Sequence, residues 1–92
     1  MDKKMTDENE TLRWPTNLDR AGIVERLVQV RVLAGEAGLA DIEARFADVE
    51  NMASGQIGTS VIAALTWIQE KTEYPAITAQ LATVAMNLKN LK

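Results

Sequence analysis

Histidine and cysteine are both absent from this 92-residue chain. Without cysteine it can form no disulfide, zinc ribbon or iron–sulfur cluster, and without histidine it lacks the commonest general base and metal ligand. Aromatic residues make up only 4% of the sequence, and no nucleotide-binding or hydrolase motif occurs. We therefore expect no catalytic residue, no metal site and no cofactor, and we predict that the protein is not an enzyme.

Positive charge is scarce as well. Ten Lys and Arg residues face thirteen Asp and Glu residues, which gives a net charge of −3. This is the wrong sign for a surface that holds the phosphates of a nucleic acid. A DNA-binding helix-turn-helix at residues 39–68 is disfavoured for a related reason, because residues 56–69 contain no Lys or Arg. Nothing near Met1 resembles a secretory signal, so we expect a cytoplasmic protein.

The first dozen residues differ from the rest of the chain. Residues 1–12 are polar, carry a net charge of −2 and hold almost no apolar side chain. Such a segment cannot offset the entropy lost on ordering, which predicts a disordered acidic tail followed by one helical domain at residues 13–92. Pro15 disfavours helix just before it, so we expect Thr16 to cap a first helix and the Trp14 ring to cover the domain as a lid.

Apolar spacing in the remainder predicts four helices, at about residues 17–34, 39–53, 57–71 and 75–92. In the first of them, Val28, Val30 and Val32 also alternate with polar residues as they would in a half-buried strand. We prefer the helix, because no second segment offers that strand a partner. Short connections then favour an all-α fold, a small four-helix bundle made of two antiparallel helical hairpins. The alternative is a three-helix core with one helix donated to a partner chain.

The fourth helix has two different faces. An apolar stripe runs along one side through Ile77, Leu81, Val84, Leu88 and Leu91, and small residues lie on the other. Between residues 51 and 88, charge is confined to Glu70, Lys71 and Glu73, at the turn before this helix. Depletion of charge is typical of an interface core. We predict a homodimer interface on the uncharged outer sides of helices 3 and 4, formed by Ile62, Thr66, Ala79, Ala82 and Met86; the alternative is that the small residues only favour helix formation.

The same uncharged stretch raises two other hypotheses. A membrane hairpin is disfavoured, because polar residues interrupt residues 51–69 and residues 74–88 are too few for a membrane span. A small ligand between the helices, bound by Trp14, Trp67 and Tyr74, is a further hypothesis, although aromatic residues more often form plain core.

Two arginines of the first helix pose a separate question. Arg20 and Arg31 project onto one face with apolar neighbours, where a guanidinium group is costly unless it is paired. We expect their heads to meet acids of helix 2, and the alternative is that they bind an anion or an acidic partner.

Together these patterns predict a non-catalytic helical module that homo-oligomerises and binds another protein, as a regulator, an adaptor or an assembly subunit. The competing hypothesis is a ligand- or nucleic-acid-binding regulator in which Arg20 and Arg31 provide the anion contact.

Overall fold

The computed structural model describes residues 17–91 and folds them into helices. We number these α1 (Arg20–Ala37), α2 (Ala40–Arg45), α3 (Ser54–Ile68) and α4 (Pro75–Met86); short 3-10 helices follow α2 and α4 at Val49–Asn51 and Leu88–Asn90. No β-strand occurs from residue 17 to residue 91, so the all-α prediction is confirmed and the strand alternative for residues 28–32 is wrong. The predicted acidic tail, the Trp14 lid and the Thr16 cap lie outside the described residues.

Helix α1 begins and ends about three residues later than predicted. Its N-cap is Asp19, which has an extended backbone and accepts a hydrogen bond from the Gly22 N–H at 2.9 Å. Its C-cap is Gly38, which adopts the left-handed conformation (φ +77°) and donates its N–H to the Gly35 carbonyl at 3.2 Å. A residue without a Cβ is needed there, because this conformation is strained for other side chains.

Helix α2 is much shorter than the predicted span of residues 39–53. It ends at Arg45, and the chain then tightens into a turn and a 3-10 helix. The Val49 N–H bonds to the Phe46 carbonyl, and the Asn51 N–H bonds to the Asp48 carbonyl, so both hydrogen bonds span three residues rather than four. Phe46 and Val49 are still fully buried. The predicted apolar face therefore forms, but an α-helix supplies only its first half.

The ends of the last two helices also differ from prediction. Helix α3 begins at Ser54, so the Ser54-Gly55 pair lies in its first turn rather than in a break before it. The break falls at the residue before, because Ala53 is extended and its carbonyl accepts the first helical bond, from the Ile57 N–H. Helix α4 begins at Pro75 as predicted but ends at Met86, and Lys89 lies in the 3-10 helix that follows.

One core joins these elements. Helix α1 packs against both α2 and α4, and α4 packs in turn against α3. Each helix contributes residues to the core, and the predicted stripe of α4 is buried at Ile77, Leu81 and Val84. The fully buried large side chains include Ile23, Leu27 and Val30 of α1, Ile57, Val61 and Ile68 of α3, and Phe46 and Val49 of the connection between α2 and α3.

A buried asparagine ties the end of α4 to the start of α1. The Asn87 side chain is fully buried; its Oδ1 accepts a hydrogen bond from the Leu18 N–H at 2.9 Å, and its Nδ2 donates to the Thr83 carbonyl at 2.8 Å. Asn90 donates to the Leu18 carbonyl at 2.8 Å. Both backbone groups of Leu18 are thus bonded to asparagines outside α1, which explains why the helix does not begin earlier.

Candidate functional site

The predicted interface residues lie on the outer side of α3 and α4. The Ile62 side chain is 50% exposed and that of Met86 is 43% exposed, which places both among the large apolar residues that the fold leaves in solvent. Thr66 and Ala79 are exposed, and Ala82 is half-buried. All five therefore lie at the molecular surface rather than in the core.

A shallow groove crosses this surface. It has a volume of about 600 Å³ and is lined by Gly58, Thr59, Ile62, Ala63 and Leu88. Since Leu88 follows α4 by two residues and Gly58 lies near the start of α3, the two helices run in opposite directions here. We call this region, Gly58, Thr59, Ile62 and Ala63 of α3 with Leu88, the α3–α4 surface; Met86 and Ala82 lie outside the groove. It has no charged side chain.

The two glycines of α3 are not required by the fold around them. A Cβ atom added to Gly55 or to Gly58 would meet no described atom within 4 Å. Glycine within a helix lowers stability by roughly 0.5–1 kcal/mol relative to alanine. Gly58 is not among the predicted interface residues. The signal that could have indicated it is a glycine, which disfavours helix, in the first turns of an apolar helix.

Val32 is the exposed apolar residue of α1, and its surroundings differ. It is 49% exposed, similar to Ile62. One turn before it on α1 is Gln29, and one turn after it is Glu36, and both of these are exposed. Isolated apolar residues among polar ones are common on protein surfaces and need no partner. Val32 is therefore a natural reference for the α3–α4 surface.

The two arginines of α1 both reach the connection between α2 and α3. Arg20 donates to the carbonyl of Met52 and, at 3.3 Å, to the Ser54 hydroxyl. Arg31 donates to the Ala47 carbonyl at 2.8 Å and to the Phe46 carbonyl at 3.3 Å. These carbonyls follow the end of α2, where the helical hydrogen bonds stop, so the guanidinium groups supply donors to them. The Phe46 carbonyl also accepts from the Val49 N–H.

Arg31 also lies 3.5 Å from the Glu50 carboxylate. Glu50 is one of the acids that the sequence analysis offered as partners for these arginines, but the stronger contacts are with backbone carbonyls. The sequence could not indicate those, because they depend on α2 ending at Arg45. Binding of an external anion by Arg20 and Arg31 stays a prediction.

The aromatic residues predicted to share a ligand pocket lie in separate crevices. Trp67 lines one between α2 and α3, together with Ile42 and Arg45. Tyr74 lines another, with Leu33 and Pro75. Trp14 is outside the described residues. The structure thus does not bring Trp67 and Tyr74 together around one ligand.

In the part of the chain that the structure describes, no group of three or more acidic side chains is placed to hold a metal ion, and no helix is long and apolar enough to cross a membrane. No family model, no curated protein and no solved structure matches this chain. Evidence on function therefore comes from its surfaces alone.

Proposed function

We propose that this chain is a non-catalytic, cytoplasmic interaction module whose two helical hairpins form a bundle that pairs with a second copy through the α3–α4 surface. Its role is that of a regulator, an adaptor or an assembly subunit that binds a further protein once paired. The exposure of Ile62 on an uncharged groove is the observation that carries the proposal. Apolar surface rimmed by polar residues, with charge depleted, is typical of interface cores.

Gly58 supports close approach by a second helix. The glycine lowers the stability of α3, and a methyl group would fit at that position in the single chain. A small residue is required where another backbone packs closely, and such a contact between copies would explain why the position has no side chain.

A second copy is the occupant that this surface fits best. The surface contains both a protruding side chain, Ile62, and a hollow above Gly58, so two copies related by a two-fold axis can each place Ile62 against the other's groove. Although the chain has a net charge of −3, this face is uncharged, so pairing brings no like charges together. A domain this small also gains much from burying surface in a dimer.

Sedimentation or light scattering at micromolar concentration tests the proposal. We expect wild-type protein at twice the 10.1 kDa mass of the chain. Ile62→Lys should yield monomers, because an unpaired charge buried at an interface costs several kcal/mol. The matched control is Val32→Lys, which introduces the same charge at an equally exposed position on α1 and should leave the dimer intact.

Circular dichroism distinguishes dissociation from unfolding, since the monomeric Ile62→Lys variant should retain its helix content. A wild-type mass of 10.1 kDa would refute pairing. Dissociation by Val32→Lys alone would assign the interface to α1 instead. Ala82→Glu and Met86→Lys, at predicted interface residues that do not line the groove, should weaken pairing less than Ile62→Lys.

A further inference from the structure

The crevice between α2 and α3 combines an aromatic ring with charged groups. It has a volume of about 230 Å³. Ile42, Ala63, Ala64 and the Trp67 ring provide apolar walls, and Asp41 and Arg45 provide the polar groups. Trp67 is 40% exposed, so its ring is accessible from solvent.

The charged groups of this crevice are not paired with each other, although Asp41 lies in the first turn and Arg45 in the last turn of α2, where each favours the helix dipole. Asp41 and Arg45 are four residues apart on α2, a spacing at which opposite charges commonly pair. Yet neither forms an ion pair or a hydrogen bond through its side chain within the described residues. A third charged group is close by, because the Lys71 ammonium lies 4.0 Å from the centroid of the Trp67 ring. Arg45 and Lys71 therefore both lie close to Trp67, Arg45 as part of the crevice lining and Lys71 over the ring.

We propose that this crevice binds a small carboxylate that has an apolar, preferably aromatic, body. The Arg45 guanidinium pairs with the ligand carboxylate, because its planar fork matches that group. The Trp67 ring and Ile42 contact the apolar body, and the Lys71 ammonium adds attraction for the anion. Asp41 opposes the ligand charge, which limits the affinity. The site contains neither Arg20 nor Arg31, and it shares only Ala63 with the α3–α4 surface.

The volume sets the size of the ligand. A crevice of 230 Å³ lies below the range of pockets that hold drug-sized molecules. It suits a ligand of about ten non-hydrogen atoms, for which dissociation constants on the order of 0.1–1 mM are reasonable. Phenylacetate has this size and chemistry, and phenylacetamide has the same shape without the charge.

Fluorescence titration measures this binding directly. In a Trp14→Phe background Trp67 is the sole tryptophan, so its emission reports on the crevice. We expect phenylacetate to change that emission in a saturable way, and phenylacetamide to bind at least about tenfold more weakly, because it lacks the charge that pairs with Arg45. High salt should weaken the binding of phenylacetate.

Two substitutions with opposite expected effects complete the test. Arg45→Gln should weaken phenylacetate binding roughly tenfold, and Asp41→Asn should strengthen it about threefold, because it removes the opposing charge. Arg26→Gln is the matched control, since Arg26 donates to Gln80 on a different face, and its effect should be negligible. A gain in affinity cannot result from misfolding, so Asp41→Asn keeps the test decisive even if Arg45→Gln is poorly folded. Equal binding of acid and amide, or no change with Asp41→Asn, would overturn the proposal.

Discussion

The α1–α2 half and the α3–α4 half of this molecule share one core but have different outer surfaces. The first half has acidic and basic residues along its solvent side, and Arg20 and Arg31 bond to the connection that follows α2. The second half has no charged residue within either helix and leaves Ile62 and Met86 exposed. Since both halves contribute to the same core, their difference is not one of stability. The difference lies in the outer surfaces: one is charged, and the other leaves large apolar side chains in solvent.

The largest effects should come from the core, where the two halves ought to behave alike. Phe46→Ala in the first half and Leu81→Ala in the second both empty fully buried positions. We expect each to lower the free energy of unfolding by about 3–5 kcal/mol through lost burial and a cavity. Chemical denaturation followed by circular dichroism measures both. A small cost for Leu81→Ala alone would mean that α4 is not part of the shared core, and the comparison would fail.

A somewhat smaller effect is expected where the two halves are joined by Asn87. Asn87→Ala leaves the Leu18 N–H and the Thr83 carbonyl without their buried partner. We expect a loss of about 2–3 kcal/mol in the free energy of unfolding. Asn51→Ala is the control, because Asn51 is exposed and bonds only locally to Asp48. Similar midpoints for the two variants would show that the Asn87 bonds contribute nothing to joining the halves.

Substitutions of Arg31 test whether a charged side chain of the first half stabilises the fold. Arg31→Glu should destabilise by more than about 1 kcal/mol, because it removes the bonds to Phe46 and Ala47 and places a carboxylate near those carbonyls and Glu50. Arg31→Leu keeps the apolar stem and should cost less. Lys89→Glu, at an exposed position, serves as the control. An unchanged denaturation midpoint for Arg31→Glu would show that this arginine is simply solvated.

Gly58→Ala, with the smallest expected effect, should change folding and pairing in opposite directions. Gly58→Ala should raise the stability of the separated monomer by roughly 0.5–1 kcal/mol, because alanine favours helix and finds space there. It should also weaken pairing, because the methyl group occupies the groove. Dilution series that monitor unfolding and mass together separate the two effects. Gly38→Ala, at a left-handed position, should instead destabilise the fold. Tighter pairing in the Gly58 variant would contradict a close helix contact at that point.

Much of the fold could be predicted from the spacing of apolar residues, because this spacing identifies the buried face of a helix. The stripe of α4 and the helical state of residues 28–32 are examples. The length of α2 could not be predicted in this way. Phe46 and Val49 stay buried in a turn and a 3-10 helix. The apolar residues therefore have the same spacing in the sequence whether or not the α-helix continues past Arg45. Arg31, a residue on another helix, donates to the carbonyls just after this end, and local sequence patterns do not indicate such contacts.

Only part of the candidate site could be predicted from the sequence. Ile62, Thr66 and Met86 follow from the face opposite to each core stripe, and the structure places all of them at the surface. The groove above Gly58 could not be predicted, because it depends on how Leu88 of the following 3-10 helix sits against α3. Asn87 was missed for a similar reason. An asparagine just after a helix normally indicates an exposed end, and its burial arises from contacts with Leu18, sixty-nine residues earlier.

The bonds of Leu18 to Asn87 and Asn90 have a topological consequence. They place the beginning and the end of the described chain side by side, so the helices follow a nearly closed ring. A short linker between these points, with new termini opened in the exposed turn at residues 70–73, would yield a circular permutant in which every helix keeps its neighbours. The order of helices along the chain would change while their arrangement in space would not. The architecture is thus set by which helices touch rather than by where the chain starts.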